Sequence, residues 1–133
     1  MTLQNIYDTH PMLPQLMNCC YEAFNCEPEK RDTRLSRAML ARKAFVLLVQ
    51  QNYYPQLTLI DMGRIMALCI GRENHYDHAT IIYAISTAKE TLLLRDDVSM
   101  NFRDNCLMLK AKYFPFGMMS FSRRITKQLT QPV

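Results

Sequence analysis

The sequence predicts an all-α fold, a helical bundle of five or six helices that contains a helix-turn-helix. The chain has 133 residues, 49% of them hydrophobic, which is enough for one modest core and favours a single domain. Apolar residues recur at intervals of three and four in several segments, as they do along one face of a helix. Residues that typically begin or end helices flank these segments.

Residues 57–94 contain two predicted helices around a short polar turn. Thr58 and Asp61 form a Thr-x-x-Asp capping box at the start of the first helix. Gly63 lies inside this helix, where glycine costs about 1 kcal/mol relative to alanine, so we expect another helix to pack very closely there. Gly71 is typical of a helix end. The apolar face of the first helix comprises Leu59, Met62, Ile65, Met66 and Cys69.

The second predicted helix begins after Asp77, which is suited to capping it. Its narrow inward stripe consists of Ile81, Ala84, Ile85, Ala88 and Leu92. The opposite face carries His78, Ala79, Tyr83, Ser86 and Lys89. Two short helices, of which the second exposes small polar groups at its start, are typical of a helix-turn-helix.

Two segments precede this unit at the N-terminal end. Pro11 and Pro14 break any helix before Gln15, which predicts one short helix over residues 15–24. This acidic segment is suited either to core packing or to dimerisation. Residues 26–33 are polar and form a predicted linker.

Two longer helices complete the predicted bundle. Residues 34–52 carry apolar side chains around most of the circumference, which indicates a central buried helix. Residues 98–112 form a last helix with Asp97 as its candidate cap. Beyond it, residues 116–133 mix methionine and phenylalanine with basic residues, a composition that fits either a short helix packed on the body or a basic tail that orders on DNA.

Charge divides the chain into an acidic N-terminal extension (1–29), a central helical domain (30–112) and a basic C-terminal tail (113–133). The extension contains four acidic and no basic residues, whereas residues 30–54 contain six basic and one acidic. Residues 110–133 contain five basic and no acidic residues. Basic clusters on a nearly neutral frame are suited to neutralising phosphates.

Three cations, Arg34, Arg42 and Lys43, lie in the first half of the central helix. Cations are unfavourable at a helix N-terminus unless an anion faces them. DNA phosphate would supply that anion, and the alternative is that these side chains extend into water.

The cysteine count and the hydropathy indicate the cellular compartment in which we expect the protein. Five cysteines occur without a Cys-x-x-Cys pair, which favours reduced, mostly buried thiols in a cytoplasmic protein over a metal or disulfide role. The longest apolar run is far too short for a membrane span, and no secretory signal pattern opens the chain. We therefore expect no membrane association.

The run Asp77-His78-Ala79-Thr80-Ile81-Ile82-Tyr83-Ala84 resembles the Asp-His-x-Thr-hydrophobic-hydrophobic-x-Ala signature of a known DNA-binding family. That family is the C-terminal domain (domain IV) of the bacterial replication initiator DnaA, a Trp-repressor-like helix-turn-helix. Residues 58–63 are similar to its first helix-turn-helix element, including the glycine. Arg42 and Lys43 are similar to its Arg-Gln pair, and Arg34 falls where the family places a minor-groove arginine. The resemblance covers residues 30–108.

The resemblance implies sequence-specific binding of double-stranded DNA, in replication initiation control or in transcriptional regulation. Arg34, Arg42 and Lys43 would hold the DNA backbone or minor groove, and Asp77, His78, Ala79 and Thr80 would face the major groove. Arg72 and His75 in the connection and Tyr83 on the outer face complete the predicted DNA-binding set. Ala79 stands where the family usually has threonine, and the connection before Asp77 is longer than the family's tight turn.

Other function classes are less favoured by the sequence. No Gly-x-x-x-x-Gly-Lys-Ser/Thr phosphate loop occurs, so the family's ATPase module is absent from this sequence. His75, Asp77 and His78 lack further ligands at zinc spacing, and we expect neither an enzyme nor a cofactor. The main alternative is a non-enzymatic protein–protein interaction module or adaptor that keeps the fold. Besides DNA, candidate partners are a second copy of the chain or a replication protein.

Overall fold

The central element of the fold is a long helix that three other helices surround. In the computed structural model, the described residues are 8, 11–53 and 57–115, and they contain five α-helices. These are α1 (Met12–Ala23), α2 (Ser36–Tyr53), α3 (Leu59–Ile70), α4 (His78–Leu93) and α5 (Asp97–Tyr113), with a 3₁₀ turn at Pro28–Lys30. Every regular element in this part of the chain is helical, as the sequence predicts.

Helix α2 is central because nearly its whole middle section is apolar. Phe45 and five of its neighbours in residues 44–49 are almost completely buried. Helices α1, α4 and α5 pack around α2, and α3 packs against α4 and α1. Each fully buried side chain of this kind contributes roughly 1.5–3 kcal/mol to folding. Leu35 and Met39 are apolar residues of the segment 34–52, which the sequence predicts as a central buried helix. They are nevertheless 42% and 37% exposed, since α2 begins only at Ser36 and Met39 lines a surface groove.

Helix α1 shares the core with α2. Its buried residues include Leu13, Leu16 and Tyr21, which lie in the same apolar cluster as Phe45. The predicted start at Gln15 is wrong, since the helix begins at Met12. Pro14 is tolerated there because the first-turn N–H groups of a helix have no intrahelical partner in any case.

Local capping decides where the later helices begin and end. The Thr58 hydroxyl accepts a hydrogen bond from the Asp61 N–H at 3.2 Å, which confirms the predicted cap of α3. Gly71 ends α3 with φ 73°, the left-handed conformation that glycine adopts without strain. The predicted cap of α5 is wrong by one residue: Asp96, not Asp97, accepts from the Ser99 N–H at 2.9 Å.

One lysine is buried in this core. Lys110 on α5 is 4% exposed, and its ammonium donates a hydrogen bond to Gln51 Oε1 at 3.1 Å. Burial lowers the pKa of Lys110 to about 8, because the charged form loses its hydration. Its charge is therefore unfavourable to the folded state at neutral pH.

Residues 116–133 lie outside the described part of the chain, so the two alternatives for the C-terminal tail both stand as predictions. Among the described residues, no helix combines the length and the apolar character that crossing a membrane requires.

Candidate nucleic-acid interface

A groove of about 810 Å³ lies beside the start of α4. Its walls come from the segment before α2, the first half of α2, the connection between α3 and α4, and the first two turns of α4. Eight of the ten predicted DNA-binding residues line it: Arg34, Arg42, Lys43, Arg72, His75, Asp77, Thr80 and Tyr83. The two others, His78 and Ala79, are exposed but do not line the groove.

An N-terminal cap stabilises the first turn of α4. Asp77 Oδ1 accepts a hydrogen bond from the Thr80 N–H at 2.7 Å, as predicted. This hydrogen bond from the backbone holds the pKa of Asp77 below its ordinary value, so the carboxylate is ionised at neutral pH. Asp77, His78, Ala79 and Thr80 are all exposed, and a carboxylate has a second oxygen that is able to accept from a ligand.

Behind this turn, the connection between α3 and α4 is packed directly on α3. A Cβ atom added at Gly63 would lie 2.0 Å from the Tyr76 carbonyl oxygen, and the Tyr76 N–H donates to the Gly63 carbonyl at 3.4 Å. The sequence predicts that another helix packs closely against Gly63. That prediction is wrong about the contacting segment, because the connection between α3 and α4 is what approaches Gly63 closely. Tyr76 is buried, so the connection is fixed at its C-terminal end.

Tyr76 contacts two charged side chains in the lining of the groove. The Arg72 guanidinium carbon lies 4.1 Å from the centroid of the Tyr76 ring, and Arg72 Nη1 lies 3.6 Å from Asp32 Oδ1. The Tyr76 hydroxyl donates to the same carboxylate oxygen at 3.0 Å. Partial burial raises the pKa of Tyr76, which keeps this hydroxyl protonated, and the Tyr76 side chain, with Asp32, raises the pKa of Arg72.

Arg42 holds the segment that carries Asp32 and Arg34. Its guanidinium donates to the carbonyl oxygens of Arg31 and Thr33. The Tyr21 hydroxyl also donates to the Arg31 carbonyl, at 3.0 Å. The Arg42 side chain lines the groove, but two of its nitrogens are already occupied by main-chain acceptors.

The charges around the groove are mixed, with four basic side chains against three carboxylates. The acidic members are Asp32, Glu73 and Asp77. In the described part of the chain, Arg72 and Asp32 form the one ion pair found between side chains. Arg34, which is exposed, and Lys43 therefore face the groove without a carboxylate partner among the described residues.

Sequence reasoning missed Asp32 and Tyr76. The available signal was an aromatic residue in an otherwise polar connection, because a tyrosine in such a place is often anchored on the body of the protein. Asp32 gave no local signal, since it lies 44 residues from Tyr76 in the chain.

The placement of histidine, cysteine and acidic side chains in the described residues bears on metal binding and on disulfide formation. Within residues 8, 11–53 and 57–115, no group of three or more histidine, cysteine or acidic side chains is placed to hold a metal ion. None of the five cysteines, all of which lie among the described residues, forms a disulfide. Burial raises the pKa of Cys106 to about 12 and that of Cys20 well above its ordinary value, so both remain protonated and unreactive at neutral pH.

Comparison of the chain with known protein families, with curated proteins and with solved structures finds no match. The resemblance to the DnaA C-terminal domain therefore depends on the residues quoted above.

Proposed function

We propose that this chain binds double-stranded DNA sequence-specifically through a helix-turn-helix formed by α3 and α4, in replication initiation control or transcriptional regulation. One observation carries the proposal: a capped, exposed helix start lies next to cations that three separate segments contribute to one groove. Arg34 comes from the segment before α2, Lys43 from α2, and Arg72 from the connection before α4.

In the proposed complex, the start of α4 enters the major groove. A helix fits this groove, and its N-terminal residues are then the ones that reach base edges. His78 and Ala79 are exposed and do not line the groove, so we assign them to bases. Asp77 is assigned to a base amino group, and Thr80, at the positive end of the helix dipole, to a phosphate.

The DNA backbone lies along the groove in this proposal. Lys43 and Arg34 are assigned to phosphates because they line the groove without a carboxylate partner among the described residues. Arg42 is assigned a supporting role, because its guanidinium donates to main-chain carbonyls of the neighbouring segment. This differs from the direct backbone contact that the sequence predicts for Arg42.

The decisive experiment is selection of bound duplexes from a random pool, followed by titration of the selected duplex and a scrambled one at several salt concentrations. We expect log affinity to fall with log salt at a slope of about −4 to −7, for roughly five to eight neutralised phosphates. We also expect the selected duplex to bind at least about a thousandfold more tightly than the scrambled one. Failure to enrich any sequence, with weak binding to both duplexes, would refute the proposal.

A second candidate function is non-enzymatic protein–protein interaction. It is favoured by apolar side chains on the surface where α4 meets α5: Leu93 is 80% exposed, Leu94 53% and Val98 59%. Exposed apolar groups close together are typical of interaction surfaces. A protein of this class would give weak, sequence-blind DNA binding in the titrations above.

A further inference from the structure

Three side chains in the lining of the groove form a closed set, in which each contacts the other two. Arg72 lies over the Tyr76 ring at 4.1 Å, Tyr76 donates to Asp32 at 3.0 Å, and Asp32 lies 3.6 Å from Arg72. The three residues come from two segments that are far apart in the chain. Such a set restrains the position of the guanidinium.

Tyr76 is the rigid member of this set. Its side chain is 9% exposed, and its main chain packs against Gly63 with no room for a Cβ atom. An arginine that stacks on a fixed ring is oriented before a ligand arrives, so less conformational freedom is lost on binding. Arg72 is therefore presented to the groove in one orientation.

The ion pair between Asp32 and Arg72 is the weak contact of this set. The Arg72 and Asp32 side chains are 32% and 52% exposed, and ion pairs that are exposed to this extent contribute little because water screens them. A phosphate offers arginine two acceptor oxygens in the geometry of a bidentate contact, which is stronger than a single long pair. A phosphate in the groove would thus displace the carboxylate from Arg72.

We infer that Asp32 is an internal competitor for Arg72, occupying in the free protein the place that a phosphate of the bound nucleic acid takes, and that Tyr76 is the positioning residue that holds the guanidinium during this exchange. The inference rests on the proposed function and specifies one phosphate contact and the group that opposes it. Removal of the Asp32 charge should accordingly strengthen binding to every sequence.

The test compares Asp32→Asn with Glu73→Gln on the selected duplex. Both residues line the groove, so each substitution removes one negative charge from the same surface, but of these two only Asp32 pairs with a cation among the described residues. We expect Asp32→Asn to tighten binding about threefold, the size of one exposed ion pair, and Glu73→Gln to tighten it by less. Equal gains from the two variants would overturn the competitor role.

A double-mutant cycle that combines Asp32→Asn with Arg72→Ala isolates the interaction between Asp32 and Arg72. In the Arg72→Ala background, the gain from Asp32→Asn should fall to that of Glu73→Gln, because no guanidinium remains to be released. Arg72→Ala alone should make the salt slope less steep by about 0.9, the contribution of one phosphate. A full Asp32→Asn gain in this background would contradict the inference.

The positioning role of Tyr76 is tested by Tyr76→Leu and its conservative partner Tyr76→Phe. Tyr76→Leu removes the ring under Arg72 and should make the salt slope less steep by about 0.9, as Arg72→Ala does. Tyr76→Phe keeps the ring and should retain the wild-type slope. A merely structural role would lower the affinity of both variants without separating their slopes, and thermal melts identify any variant that fails to fold.

A second measurement separates this inference from the proposed function. If the wild-type protein binds no duplex, the proposed function fails, and the exchange is then judged by NMR of the Arg72 Nε–Hε signal during titration with inorganic pyrophosphate. We expect the signal to shift, and Asp32→Asn to lower the half-saturating concentration about threefold while Glu73→Gln changes it less. An Arg72 signal insensitive to pyrophosphate would refute the exchange.

Discussion

The close approach of the α3–α4 connection to Gly63 predicts an unusual response to alanine at this position. In an unobstructed helix, Gly→Ala stabilises by about 1 kcal/mol. Here the new Cβ would lie 2.0 Å from the Tyr76 carbonyl oxygen, where real Cβ contacts stay above 3.0 Å, so the connection must move by about 1 Å. We therefore expect Gly63→Ala to destabilise the protein.

The magnitude follows from the two opposing effects. Inserting a methyl group into a filled space typically costs about 1–3 kcal/mol. The upper end applies because the obstructing atom is main chain, and Tyr76 is held by burial and by its hydrogen bond to Asp32. Subtracting the helix-propensity gain leaves a net loss of about 2 kcal/mol.

Urea unfolding monitored by circular dichroism measures this loss. For an m-value of about 2 kcal/mol/M, the unfolding midpoint of Gly63→Ala should fall by about 1 M. Gly71→Ala provides a reference for backbone strain without obstruction: its Cβ meets no atom within 4 Å, so its loss of roughly 1–2 kcal/mol should come from the left-handed conformation alone. A Gly63→Ala midpoint equal to or above that of the wild type would refute the reasoning.

Three further predictions concern the interface and the core. Lys43→Ala should weaken binding to selected and scrambled duplexes alike and make the salt slope less steep by about 0.9. Arg95→Ala is the control, because it removes the same charge beyond the far end of α4, about 24 Å from the start of that helix at 1.5 Å per residue. It should leave the salt slope unchanged. If Lys43→Ala and Arg95→Ala changed the slope equally, a local phosphate contact at Lys43 would be excluded. His78→Ala should lower discrimination at one base position by about 1–3 kcal/mol, and a uniform loss on all single-base variants of the duplex would contradict base reading. Lys110 has a lowered pKa of about 8, so its unfavourable effect on folding is complete below pH 8 and is relieved as the pH rises toward the unfolded value near 10.5. Between pH 7 and 9, the unfolding free energy of the wild type should therefore rise by about 1 kcal/mol relative to that of Lys110→Met, and parallel pH profiles in urea would show that the amine is not desolvated.

The elements that the sequence predicted well depend on interactions within one or two helical turns. The caps Thr58 and Asp77 and the end at Gly71 are as expected, because each is decided by hydrogen bonds to residues three or four positions away. The inward stripe and outer face of α4 also follow from helical spacing alone. The two errors, the start of α1 near Pro14 and the cap of α5 at Asp97, both concern helix boundaries, where neighbouring residues compete to begin or cap the helix.

Amino-acid order alone thus determined the all-helical class, the caps of α3 and α4, the exposed start of α4 and the presence of basic residues near the start of α2. Tertiary structure decided which side chains meet: the Tyr76 carbonyl at Gly63, Asp32 at Arg72, and main-chain carbonyls at Arg42. The physical reason is chain separation. Local spacing orients a side chain around its own helix axis, whereas these pairs join different segments, 9 to 40 residues apart, and depend on how several helices pack at once, which no local pattern records.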